Sequence, residues 1–261
     1  MSAARLSGGT RGALGGVCAV LAAMLLAGCS NPQVVRDHHQ AAIFNTELGI
    51  AYLQRGELAV AKRKLDRALR ENPDDPNVHS ARALLFERLG ESKRADHEFR
   101  EALRLAPNDP DYQNDYAVYL CNAGRTDEGV KYFLKAASNP LYLTPAAAYT
   151  NAGVCLRVAH QYPRAIQMFE SALVVSPGFE QAAWQLADLD YKQGRFAQAH
   201  ALIKRFLASN NETPDMLLLA VKVTRAQGDA LAAALYARQL QLDFPDSAQA
   251  HSLAAPGHNP G

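Results

Sequence analysis

The chain carries almost no net charge and no long run of like charges. Its 261 residues include 27 lysines and arginines against 26 aspartates and glutamates. A nucleic-acid-binding protein normally shows a basic stripe, so this balance argues against nucleic acid as a partner. The lack of a charge block likewise argues against a polyelectrolyte tail.

Motifs of the common enzyme classes are also missing after residue 28. The sequence has no Cys-x-x-Cys, His-Glu-x-x-His, Gly-x-Ser-x-Gly or glycine-rich phosphate loop in that part. Its histidines are scattered without metal-ligand spacing, and the adjacent pair His38 and His39 lies in a polar stretch. We therefore expect a protein that is not an enzyme and has no metal site and no cofactor.

One long apolar run is present, and it lies near the start of the chain. Arg5 and Arg11 precede a stretch that is apolar from Ala13 to Leu26. This stretch is too short for a membrane span, which needs about 20 apolar residues, and its layout is that of an export signal. The four residues Leu-Ala-Gly-Cys at 26–29 resemble the bacterial lipobox.

The lipobox resemblance implies cleavage after residue 28 and acylation of Cys29, for example with palmitate. Ser30 follows the cysteine where an aspartate would favour the inner membrane, so the resemblance implies anchoring at the periplasmic face of the outer membrane. Without residues 1–28, which hold two of the 27 basic residues, 25 basic residues face 26 acidic ones. The alternative is an ordinary secretory signal with an accidental cysteine. We expect residues 29–41 to be the acylated cysteine and a tether.

The rest of the sequence repeats itself. Glycines recur 34 residues apart in two series, and His160 occupies the slot between the series, which implies one spacing of 36. Small residues keep the same phase five positions later. The recurring positions are Gly56, Gly90, Gly124, Gly194 and Gly228, and then Ala61, Ala95, Gly129, Ala165, Ala199 and Ala233.

This period and these positions resemble the tetratricopeptide repeat (TPR). The resemblance implies an all-α right-handed superhelix of about six helix-turn-helix units over residues 42–247, followed by a disordered tail at 248–261. The units are expected at about 42–75, 76–109, 110–145, 146–179, 180–213 and 214–247. Gly129 stands where an alanine is usual in this repeat, and we expect it to loosen the third unit.

The first helix of each unit in such an array lines a concave groove. Its inward positions combine apolar residues with amides and hydroxyls, which suits an extended peptide or a partner helix. The alternative is that several of these residues only pack between repeats. They include Thr46, Ile50, Gln54, Asn77, Ser80, Leu84, Asn114, Val118, Thr150, Val154, Trp184 and Tyr191.

Two cysteines, Cys121 and Cys155, fall on the first helices of neighbouring units three and four. Helices that pack 8–10 Å apart bring facing Cα atoms to roughly 4–6 Å, which a disulfide can span. The periplasm permits such a bond. The alternative is two buried thiols that act as small apolar side chains.

Residues 45–69 and 115–155 narrow the family. They are similar to the type IV pilus biogenesis lipoproteins called PilF or PilW. The matching features are Asn-Thr-Glu-Leu-Gly at 45–49, Tyr-Leu-Cys at 119–121, Asn-Pro-Leu-Tyr at 139–142 and Asn-Ala-Gly-Val-Cys at 151–155.

This second resemblance implies a pilotin, an outer-membrane protein that helps the type IV pilus secretin (PilQ-like) to localise and form its multimer, and so supports twitching motility. Other pilus proteins are further partners that it allows. The residues that it suggests as groove contacts or groove supports are Asn45, Thr46, Asn77, Asn114 and Asn151. The alternative function is an outer-membrane TPR adaptor for peptidoglycan synthases or hydrolases.

Overall fold

The computed structural model describes residues 32–209 and 212–254, and all regular structure in these ranges is helical. The predicted signal peptide at residues 1–28 and the predicted lipidation site Cys29 lie outside the described residues. The helices are α1 (Pro32–Gln54), α2 (Leu58–Glu71), α3 (Pro76–Arg88), α4 (Ser92–Leu105), α5 (Pro110–Asn122), α6 (Thr126–Ala137), α7 (Pro145–Val158), α8 (Tyr162–Val175), α9 (Glu180–Lys192), α10 (Phe196–Leu207), α11 (Pro214–Ala226), α12 (Ala230–Asp243) and α13 (Ala248–Ala254).

Consecutive helices form six antiparallel pairs, α1–α2 to α11–α12, and the turn inside each pair is tight. The recurring glycines occupy these turns, each with φ between 73° and 78°. This is the left-handed region, which glycine adopts without a Cβ clash. Proline stands at the first position of α3, α5 and α11, where its missing N–H costs no helical hydrogen bond. Asp75 and Asp109 cap α3 and α5.

The fourth turn has His160 in the glycine slot, with φ at 57°. A left-handed conformation costs a non-glycine residue roughly 1–2 kcal/mol. Part of this cost is offset because His160 Nδ1 lies 2.8 Å from the Tyr162 hydroxyl. His160→Gly is expected to raise the free energy of unfolding by about 0.5 kcal/mol. Relief of the backbone strain stabilises the protein, and the lost contact with Tyr162 and the larger backbone entropy of glycine in the unfolded chain offset part of that gain. His160→Ala keeps the strain and loses the contact, so urea denaturation is expected to show the opposite sign.

The core runs along the array as a row of large side chains on the second helices. Leu65, Phe99, Phe133, Phe169 and Ile203 hold equivalent slots and are fully or almost fully buried. The small residues four positions earlier let the two helices of a pair approach closely. In the sixth unit, alanine holds the equivalent slot of this row, at position 237. That end of the array is therefore less well filled.

The tether prediction for residues 29–41 is wrong from Pro32 onward, because α1 begins there. The extra turns of α1 are stabilised by contacts with the end of α2. His38 pairs with Glu71, and the His39 ring lies 3.2 Å from the amide of Asn72. None of the helices in the described ranges is long and apolar enough to cross a membrane.

The tail prediction for residues 248–261 is also wrong in part, because residues 248–254 form α13. This helix packs on both α11 and α12, with Ala250 buried against Leu217 and Leu240. It therefore occupies the place that the first helix of a seventh unit would take. A short terminal helix of this kind covers the last apolar face of a repeat array.

Candidate functional site

The first helices of the units form the inner face of the array. Each first helix has Cα atoms within 8 Å of the first helix of the next unit, whereas the Cα atoms of neighbouring second helices stay farther apart within the described ranges. Long side chains bridge that wider gap, as between Arg164 on α8 and Asp127 on α6 over 2.7 Å. The array therefore curves with α1, α3, α5, α7, α9 and α11 on its inner side. We call this side the groove.

An apolar pocket of about 400 Å³ opens in the groove between α5 and α7. Val118 and Val154, both predicted to face inward, lie in its wall, and the ring of Phe133 lies behind them. Val158 stands at its mouth with 71% of its surface exposed. The complete lining is Val118, Cys121, Asn122, Gly124, Thr126, Phe133, Asn151, Val154, Cys155, Val158 and Ala159. Since the volume is in the range of ligand sites and the lining is mostly apolar, the pocket suits an apolar side chain of a partner.

A disulfide between Cys121 and Cys155 forms part of the pocket wall. Their Cα atoms lie 5.7 Å apart and the bond closes a separation of 34 residues. The bond joins the first helices of units three and four beneath the groove surface. It therefore holds together the two helices between which the pocket opens.

Gly129 is required by this disulfide, and the expectation that it loosens unit three is wrong. A Cβ placed on Gly129 would lie 2.5 Å from Cys121 Sγ and 2.9 Å from the backbone oxygen of Ala117. Neither distance is tolerated by real Cβ atoms. The slot holds glycine because the sulfur occupies the space that the alanine methyl fills in other units.

Asn45 and Thr46 do not offer their side chains to the groove. Both are buried, and both bond to the backbone of their own helix. Asn45 Nδ2 donates to the carbonyl oxygen of Ala41, and Thr46 Oγ1 donates to that of Ala42, each over 2.8 Å. Because these donor groups are used inside α1, the two residues act as groove supports, the second of the two roles predicted for them, rather than as ligand donors.

The other three amides form links between neighbouring units. Asn151 Nδ2 donates to Asn114 Oδ1 over 3.3 Å, and Asn151 also lines the apolar pocket. Asn77 Oδ1 accepts a 2.8 Å hydrogen bond from the Tyr112 hydroxyl. Burial raises the pKa of Tyr112 to about 12, so it stays a donor. These amides align successive first helices, and Asn77 and the half-buried Asn114 and Asn151 remain within reach of a groove ligand.

A half-buried carboxyl group, Asp115, lies beside Asn114. Burial raises its pKa, and hydrogen bonds from Asn114 and from Ser80 Oγ at 3.4 Å oppose the shift. The carboxylates of Asp111 and Asp109 add to the rise. This end of the groove is therefore negatively charged, in contrast to the apolar pocket at the other end of α5.

Sequence reasoning missed a buried network of charged groups between units one and two. Arg82 donates to Glu98 over 2.9 Å and to Asp66, and Glu98 also pairs with His79 over 2.7 Å. The His79 Nε2 atom lies 2.8 Å from the carbonyl oxygen of Pro73. His79, Arg82 and Glu98 are almost fully buried, so the network stabilises the packing of α2, α3 and α4 and is not a groove surface.

No group of three or more His, Cys, Asp or Glu side chains that could hold a metal ion occurs in the part of the chain that the structure describes. The disulfide, the amides and the pocket are elements of a binding surface. Repeat solenoids use such extended inner surfaces to bind partners.

Comparison with known proteins agrees with this architecture. Tetratricopeptide repeat models match residues 46–110, 80–142 and 157–223, which together make up more than half of the chain. The type IV pilus assembly protein PilF of Pseudomonas aeruginosa is 29% identical over 209 residues, which cover 80% of this chain and 83% of PilF.

Two solved structures are similar over nearly the same span. PilW, described as a widely conserved type IV pilus biogenesis factor, has a TM-score of 0.64 at 29% identity and covers 83% of this chain and 99% of its own. P. aeruginosa PilF has a TM-score of 0.63 at 28% identity and covers 84% and 98%. The predicted all-α TPR superhelix and the predicted resemblance are both confirmed. The chain belongs to the tetratricopeptide-repeat proteins and is a PilF/PilW-like member, related to type IV pilus biogenesis factors.

Proposed function

We propose that this protein is an outer-membrane lipoprotein that acts as a pilotin. It binds subunits of the type IV pilus secretin and promotes their localisation and assembly into the multimer through which the pilus exits. The observation that carries the proposal is the similarity to PilF and PilW, which extends over about four fifths of the chain. A match of 209 residues extends over several units of the array and not over one shared unit.

The pocket between α5 and α7 supports a binding role. It is open to the groove, and the disulfide and the Asn114–Asn151 link fix its two walls relative to each other. A preorganised pocket loses less conformational entropy when it accepts a side chain. We place recognition of an apolar secretin side chain in this pocket.

Lipid anchoring at Cys29 supports the targeting role. Two acyl chains suffice for stable attachment to a membrane, since each buried CH₂ contributes about 0.8 kcal/mol. Ser30 and Asn31 alone separate Cys29 from the first residue of α1. Three residues span at most about 11 Å, so the anchor holds the start of α1 close to the membrane surface.

A strain that lacks this gene is expected to lose most of its secretin multimer, because unassisted subunits stay unassembled or in the inner membrane. Immunoblots of fractionated outer membranes would measure the multimer, and twitching assays would measure function. Complementation with Cys29→Ala tests targeting. Complementation with Val158→Glu, which puts a charge at the pocket mouth, tests recognition, and we expect at least a several-fold loss of multimer.

Val174→Glu is the matched control, because Val174 is at least as exposed as Val158 but lies on α8 outside this pocket. It is expected to restore the multimer fully. Normal multimer and motility in the deletion strain would contradict the pilotin proposal and favour a peptidoglycan-enzyme adaptor. A normal Val158→Glu strain would leave the pilotin role standing and move recognition away from the pocket.

A further inference from the structure

The loop between α6 and α7 exposes two leucines that nothing in the array covers. Leu141 is 83% exposed and Leu143 is 94% exposed. Between them, the Tyr142 ring packs against the main apolar core. The loop is the place where the repeat is longer by two residues, so the extra length displays two apolar side chains to solvent.

Hydrogen bonds hold this loop in one shape. Asn139 Nδ2 donates to the backbone oxygen of Asn108 over 2.9 Å, which ties the loop to the preceding inter-repeat turn. Asn139 Oδ1 accepts from the backbone N–H of Leu141 over 2.9 Å, and the Tyr142 N–H donates to the Asn139 backbone oxygen over 3.0 Å. The leucines are therefore presented by a fixed turn.

A cavity of about 600 Å³ lies between the leucines and the start of α5. The carboxylates of Asp109 and Asp111 line its opposite side. Asp109 is partly used as the cap of α5, while Asp111 is exposed. The ammonium group of Lys135 is nearby, bonded to the carbonyl oxygen of Pro107 over 3.0 Å. An occupant would thus meet two leucines on one side and carboxylates on the other.

We propose that the α6–α7 loop and the start of α5 form a docking surface for an extended protein segment with apolar side chains next to lysine or arginine. Charge complementarity and the fixed leucines carry this choice. A lipid surface fits less well, because the carboxylates beside the leucines repel anionic headgroups. The inference rests on the proposed function, since it names the kind of secretin segment that this second surface accepts.

The proposal is tested with a version of the protein that starts after residue 29 and so has no lipid anchor. Its binding is measured to overlapping 15-residue peptides that span the periplasmic region of the host secretin. The variant Leu141→Ser/Leu143→Ser is expected to weaken binding at least tenfold for a subset of peptides rich in apolar and basic residues, because burial of a leucine contributes enough for a tenfold change. Asp111→Asn is expected to weaken the same subset severalfold at low salt and little at high salt. Both leucines are exposed, so folding is unaffected.

Leu231→Ser/Leu235→Ser on α12 is the matched control, since it removes two exposed leucines elsewhere and is expected to bind as wild type does. Equal binding by the loop variant and the wild-type protein overturns the loop inference and leaves the pilotin proposal intact. Absence of any bound peptide with wild-type protein contradicts both. If the wild-type protein floats with anionic phosphatidylglycerol vesicles and the loop variant does not, the loop contacts a membrane and the proposal of a protein segment as its ligand is overturned.

Discussion

Replacing Cys121 and Cys155 together by alanine is expected to lower the free energy of unfolding by about 3 kcal/mol. The disulfide joins two residues that are 34 positions apart in the sequence. In the chain-entropy model, a loop of this length removes about 3–4 kcal/mol of unfolded-state entropy. Alanine is the appropriate replacement, because Cys155 is buried and a serine hydroxyl there would need a hydrogen-bond partner.

Urea denaturation followed by circular dichroism would measure this loss, and hydrogen exchange would locate it. Stability in a repeat array is a sum of local terms, so exchange is expected to accelerate most in α5, α6 and α7. The wild-type protein with added reductant should approach the variant. If variant and wild type unfold at the same urea concentration, the bond does not form in the protein, and two free thiols would be detected by labelling.

Gly129 gives an independent test of the same bond. Gly129→Ala is expected to cost roughly 2 kcal/mol in the wild-type background, because the new methyl group overlaps the sulfur of Cys121. In the double-alanine background this cost should fall, although the contact with the Ala117 oxygen remains. The two effects are then non-additive, as expected for residues in contact. Additive effects would mean that the sulfur does not occupy the space beside Gly129.

The repeat architecture could be read from the sequence because it depends on local rules that recur. A glycine in a left-handed turn and a small residue where two helices cross each leave a mark that recurs every 34 residues, or 36 in one case. The predicted starts of units two to six lie within one residue of the observed starts of their first helices, which are Pro76, Pro110, Pro145, Glu180 and Pro214.

The ends of the array could not be read in this way. No repeat rule applies to residues before the first unit, and the helical state of residues near His38 depends on a contact with Glu71 in α2. The same holds for α13, which is held by its contacts with α11 and α12. Polar composition alone indicates a tether or a disordered tail in both places.

The candidate site was predictable as a surface and less so as a set of residues. Repeat phase correctly placed Val118 and Val154 in the groove wall. It could not tell that Thr46 turns its hydroxyl back to the Ala42 carbonyl oxygen, because a buried threonine satisfies its hydroxyl where geometry allows. The reason for glycine at position 129 was also not readable from the sequence, because the space beside it is filled by the Cys121 sulfur from another helix.

Glu98→Ala is expected to lower the free energy of unfolding by about 3 kcal/mol. It removes the carboxylate that bonds both Arg82 and His79, and all three side chains are almost fully buried. Removing one partner of a buried ion pair leaves an uncompensated charge, which costs roughly 3–5 kcal/mol. The lower end applies, because Arg82 keeps Asp66 as a partner.

The same network makes stability depend on pH. Burial alone would lower the pKa of His79, but the hydrogen bonds to Glu98 and to the Pro73 carbonyl outweigh it and raise the pKa above 6.5. This contribution is complete below pH 6.5 and is lost as the pH rises through the higher folded value. Burial would raise the pKa of Glu98, but its bonds to His79 and Arg82 lower it below 4.5. That contribution is complete above pH 4.5 and is lost as the pH falls.

The network therefore stabilises the protein most between about pH 4.5 and 6.5. Urea midpoints measured from pH 4 to 9 should show the difference between wild type and Glu98→Ala at its largest in this window and smaller at both ends. Glu128→Ala is the matched control, because Glu128 makes an exposed pair with Arg125 at the start of α6, away from the network, and exposed pairs contribute little. Its midpoint should follow the wild-type curve throughout. A constant difference between Glu98→Ala and wild type across the whole range would mean that His79 and Glu98 titrate alike in the folded and unfolded chains. The cost of Glu98→Ala would then come from lost packing and hydrogen bonds, and the network would not make stability depend on pH.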